Sequence, residues 1–116
     1  MDAGVSDPDA GGIVGTDIVR RLWVGESVRA PEGWTWAKTY KAAVRLLEKH
    51  DWQFSSISLD DDLGGGKTGY HMIYLLRERF QQGKPIPMIG VHTSNLQARS
   101  GMLDLTSWIN GALIKG

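Results

Sequence analysis

The stretch SISLDDDLGGGKTGYH, Ser56 to His71, joins a short apolar run to three aspartates, three glycines and a Gly-Lys-Thr. A phosphate cradle, a metal-binding acidic cluster and a plain turn compete for it. A P-loop needs a glycine five positions before its Gly-Lys-Ser/Thr. That position is Asp61, so the pattern fails. A carboxylate run just before the loop would also repel a triphosphate unless a divalent cation intervened. The acidic run suits a hard cation better, since Mg²⁺ takes oxygen ligands, one or two carboxylates with water and phosphate completing the shell. The plain alternative is a solvated turn whose aspartates bond their own backbone. In every case the chain runs from a strand, WQFSSISL, that ends at Asp60, through a flexible Gly64–Gly66 turn. Beyond Gly69, a helix carries Met72, Ile73, Leu76 and Phe80 on one face.

The same alternation extends outward. Ile18, Val19, Leu22, Trp23 and Val24 form an apolar run ending in Gly25-Glu26, as a buried strand would. A turn through RAPEGW leads to TWAKT, a short second strand. Tyr40, Ala43, Val44 and Leu47 then fall at helical spacing, and IPMIGVH reads as a further strand. Leu105, Trp108, Ile109, Ala112 and Leu113 stripe a C-terminal helix. The order β-β-α-β-α-β-α with short connections predicts an α/β fold, a small parallel sheet of about four strands flanked by helices. Residues 1–16, rich in Gly, Ala, Asp, Ser and Pro without apolar periodicity, read as a disordered tail, and 17–116 as one domain.

Composition excludes several classes. With 13 basic and 13 acidic residues, no net field draws the chain to nucleic acid or membranes. There is no cysteine, hence no disulfide framework or thiolate metal site. No apolar run is long enough to span a bilayer, so the expected setting is soluble and cytoplasmic, with no membrane partner.

Ligands of open parallel sheets bind beyond the strand carboxyl ends. Three polar sets follow the clearest strands: Gly25-Glu26, Asp60-Asp61-Asp62, and His92-Thr93-Ser94-Asn95. Their common edge is the expected site. Asp60, Asp62 and Glu26 are the candidate Mg²⁺ ligands, and Asp60 and His92 the candidate catalytic residues. Thr93, Ser94, Asn95, Arg99 and Lys67 are the candidate phosphate contacts. Trp34 and Trp36, two apart, are expected to share one face of an exposed edge strand, which makes a protein partner or homodimer one expectation.

ISLDDDLGGGKTGY and IGVHTSNLQARSGM, with RLWVGESVRAPEGW before them, resemble the cyclic-phosphate processing receiver domains. In that family a strand runs into Leu-Asp-His-Asp-Leu-Gly, Thr-Gly-Tyr starts the next helix, and a later strand ends in His-Ser-Ala-Asn. The resemblance spans about Arg21 to Met102. It implies a receiver-like, flavodoxin-like sheet with the first helix and last strand missing. It also implies Asp60 as the strand-end acid for Mg²⁺ and phosphate chemistry, with Thr93 as the hydroxyl facing a phosphoryl group. The implied function is Mg²⁺-dependent recognition or processing of a cyclic or terminal phosphate on an RNA end or a nucleotide. Two departures set the alternative. Gly25 stands where relatives carry an acid, and Asp61 where they carry a histidine, so the second expectation is a catalytically degenerate pseudo-receiver that acts as a protein-interaction or regulatory module.

Overall fold

The computed structural model describes residues 5–6 and 19–115. Its elements are β1 (Val5–Ser6), β2 (Arg21–Val24), β3 (Thr35–Ala37), α1 (Tyr40–Lys49), β4 (Ser56–Leu59), α2 (Gly69–Gln81), β5 (Met88–Val91) and α3 (Leu96–Lys115). The sheet order is β1-β3-β2-β4-β5. β3, β2, β4 and β5 are mutually parallel, and β1 pairs antiparallel with β3. The four-stranded parallel sheet flanked by helices is therefore present in the predicted order. Apart from Val5 and Ser6, the tail expected over 1–16 lies outside the described residues.

Register explains the two unlike faces of the sheet. Ile57 of β4 sits beside Leu22 and Ile89, and Leu59 beside Val24 and Val91. Thr35 and Ala37 of β3 continue these two rows. The rows form the core face, where Leu22, Val24, Ala37 and Leu59 are fully buried under helices α1 and α2. Side chains alternate along a strand. The intervening row, Trp36, Trp23, Ser58 and Gly90, therefore points the other way.

Parallel neighbours are usually bridged by a crossover helix, but β2 reaches β3 through residues 25–34 without one. This loop closes over the second face. Trp34 meets Trp23 edge to face at 5.4 Å, and Trp23 Nε1 donates to Val28 O at 2.9 Å. Gly33, at φ +87°, makes the turn in which Trp34 N–H donates to Pro31 O. The missing first helix is thus replaced by a tryptophan-anchored loop.

Several sequence expectations need correction. The first strand begins at Arg21, the pairing with the β4 side starts where Arg20 O accepts from the Ser55 N–H at 2.8 Å, and Val19 ahead of it is 62% exposed. Trp34 lies outside β3, and the outer edge of β3 is taken by β1 at Trp36 and Ala37. The inner stripe of α3 carries Met102, Thr106 and Ile109, while Trp108 is 47% exposed. In α1 the buried residues are Ala42, Ala43, Leu46 and Leu47, a stripe rotated toward Leu46.

Candidate functional site

Chain order reverses beside β2. From β2 the chain steps outward to β3, then crosses back to β4 on the other side, so a crevice opens between the carboxyl ends of β2 and β4. Because the strands are parallel, Gly25 to Ser27, Asp60 and His92 all emerge at this edge. The predicted convergence of the three polar sets is what the topology produces.

Asp60 is the centre of the crevice and only 4% exposed. Its backbone N–H still pairs with Val24 O at 3.0 Å, which extends the β2–β4 ladder by one residue. Both carboxylate oxygens are engaged. Oδ1 accepts from the Asp61 N–H at 2.7 Å, and Oδ2 accepts from the Ser27 hydroxyl. Across from it, Gly25 holds φ +127°, and a Cβ placed there would lie 2.5 Å from the Asp60 Cβ. Backbone contacts lock Gly25 in place, its N–H on Ala37 O at 2.9 Å and its O accepting from Trp36 Nε1 at 2.7 Å. The close approach of β2 to Asp60 therefore depends on the absence of a side chain. Gly69 plays the same part from α2, where a Cβ would come within 2.6 Å of Asp60 O.

His92 follows the last residue of β5 and falls on the second face of the sheet. Its ring stacks on Trp23, centroids 3.7 Å apart and planes 10° from parallel. Nδ1 bonds the Ser58 hydroxyl at 2.8 Å, while Nε2 is buried and meets no hydrogen-bonding group among the described residues. Burial lowers the His92 pKa to about 4, against the opposing pull of the Asp60 charge. The imidazole is neutral at physiological pH, so it can offer a hydrogen bond but not a charge.

The remaining candidates divide. Thr93 is buried, and its Oγ1 accepts from the Asn95 N–H at 3.2 Å. Asn95 is committed to starting α3, its Oδ1 accepting from Ala98 N–H at 3.1 Å. Ser94 and Arg99 are exposed at this helix start, beside the first amides of α3. Asp62 is exposed and bonds the Gly64 N–H at 3.0 Å, the aspartate turn that formed the plain alternative. Glu26 is exposed. Lys67 is directed to α1, its ammonium 5.4 Å from the centre of the Tyr40 ring. His71 is exposed and accepts the Thr68 N–H at 3.0 Å, so it serves the start of α2.

The three candidate metal ligands are not gathered into one group. Among the described residues no three acid or histidine side chains gather into a metal-holding group. Asp60, Asp62 and Glu26 do not converge, because Asp62 turns onto its own loop and Gly25, not an acid, faces Asp60. Ser27, Ser58 and Trp23 are site residues that sequence reasoning missed. Only the cross-strand register, which sets Trp23 beside Ser58, makes these two neighbours.

The family model for the cyclic-phosphate processing receiver domain matches residues 20–107. No curated protein and no solved structure matches the chain.

Proposed function

Since the chain belongs to the family of cyclic-phosphate processing receiver domains, we propose that it binds a cyclic phosphate of an RNA end or nucleotide and holds it without turning it over. The observation that carries this reading is the Asp60 carboxylate, buried with both oxygens already hydrogen-bonded and facing Gly25. A carboxylate so held, opposite a glycine, is not half of a two-acid metal site. Neutral His92, stacked on Trp23 and bonded to the Ser58 hydroxyl, likewise brings no charge to the crevice.

The phosphate would rest at the start of α3, on the Ser94 and Thr93 hydroxyls and the Arg99 guanidinium, with the helix amides adding positive potential. Glu26, Asp60, Asp61 and Asp62 stand on the same edge as Arg99. Such a surplus of carboxylates favours a ligand of low charge. A cyclic diester carries one negative charge, whereas a terminal monoester carries nearly two, its second pKa being about 6. This supports the cyclic ester over the terminal one.

Titration calorimetry with a 2′,3′-cyclic nucleotide and with the matching 3′-monophosphate tests the reading. The expected outcome is heat for the cyclic ester that does not depend on Mg²⁺, weaker heat for the monoester, and an unchanged cyclic nucleotide on recovery. Absence of heat from the folded chain, or Mg²⁺-dependent ring opening, overturns it.

A further inference from the structure

Gly64, Gly65 and Lys67 take no part in the crevice, and they border a separate groove of about 740 Å³ between α1, the glycine loop and α2. We propose that this groove docks an acidic amphipathic segment of a partner protein. Its floor is apolar: Val44 from α1, Leu63 from the loop, Leu75 from α2, and the Tyr40 ring. Its charges sit on the borders. Lys41 and Arg45, four apart, project from one side of α1. Lys67 stands on the loop side, held over the face of Tyr40. No carboxylate is found among the described residues that line it.

The glycines shape the open rim. Gly64, Gly65 and Gly66 hold φ +77°, +60° and +79°. Three consecutive left-handed residues need glycine. A Cβ at Gly65 or Gly66 would meet nothing within 4 Å. These glycines therefore offer bare backbone on the loop side, where the Lys67 side chain reaches over Tyr40.

Cations on both borders of an apolar floor are complementary to a segment whose apolar side chains lie between carboxylates. The apolar groups fill the groove while the acids reach the rim. A small phosphate ester matches less well, because it would satisfy Lys41 and Lys67 and leave the floor uncovered.

The test is fluorescence anisotropy of the full chain with a labelled synthetic helix-forming peptide that carries leucine and phenylalanine on one face and glutamate on the other. A peptide with lysine in place of glutamate and a scrambled acidic peptide serve as comparisons. Saturable binding of the acidic peptide alone is expected, weakened by salt and reduced about tenfold or more in the Lys41→Glu, Lys67→Glu double variant. Both lysines are exposed, and circular dichroism verifies that the variant is folded. No binding, equal binding of the scrambled or lysine peptide, or indifference to the double variant overturns the proposal. So does self-association abolished by the double variant, which assigns the groove to a second copy. Displacement of the label by a peptide of residues 7–18 overturns it as well, assigning the groove to the chain's own N-terminal segment.

Discussion

At the residue scale, the environment of His92 sets its chemistry. Stacking on Trp23 and burial of Nε2 remove water from the ring, and the lost solvation outweighs the attraction of Asp60. The folded pKa, about 4, lies below the 6.5 of the free side chain. Between these values the unfolded chain binds more protons than the folded one, so stability must rise with pH across that window and level off above it. The melting temperature of the native chain is therefore expected to fall as pH drops from 6.5 toward 4. In His92→Gln that fall becomes shallower, and a melt series with both proteins checks it. An unchanged slope would mean that carboxylates alone account for the acid sensitivity. The sequence located His92 and Asp60 because each ends an apolar run. It was silent on Ser27, Ser58 and Trp23, whose partners come from other strands and are fixed by register, not by spacing along the chain.

At the element scale, β5 is the outer strand on its side, and an unpaired strand edge invites association. Helix α3 covers it with one side chain. Asn110 Oδ1 accepts the Ile89 N–H at 2.9 Å, and its Nδ2 donates to Ile89 O at 2.8 Å. One amide thus mimics the next strand. Asn110→Ala leaves both backbone groups of Ile89 without these partners, and a loss of about 1–3 kcal/mol is expected. Urea unfolding measures it, and faster hydrogen exchange at the Ile89 amide separates it from a general loss of helix. The helical stripe of α3 was read around Leu105 and Trp108, but its buried line runs through Met102, Thr106 and Ile109. Periodicity identified the helix. Its rotation was decided by Met102 packing against Gly69, where a Cβ would come within 2.1 Å of the methionine Cε, and by Asn110 reaching β5.

At the scale of the whole molecule, the sheet works as a boundary between two environments. One face is the hydrophobic core, and the other carries the row of Trp36, Trp23, Ser58 and Gly90, on which the His92 side chain rests. Ile57, 1% exposed and flanked by Leu22 and Ile89, ties the central strand to both neighbours on the core side. Ile57→Ala is expected to cost about 2–5 kcal/mol through the cavity it leaves. Far-ultraviolet dichroism and tryptophan fluorescence should still report one coincident transition, as a single core requires. Separate transitions would mean that the tryptophan face unfolds independently of the core.

Alternation of apolar strands and amphipathic helices, with short connections, was enough to determine the parallel α/β order and the edge where polar residues gather, since both follow from local periodicity and the handed geometry of crossovers. The sequence also determined that Gly64 to Gly66 would turn freely. Only the tertiary structure decided what those features serve. It brought Gly25 against Asp60 so closely that no side chain fits between them, closed Asp60 with Ser27, and laid His92 on Trp23. It also turned the glycine loop away from the crevice toward a groove of its own. These are contacts between residues far apart in the chain, and local patterning carries no information about them until the strands have paired.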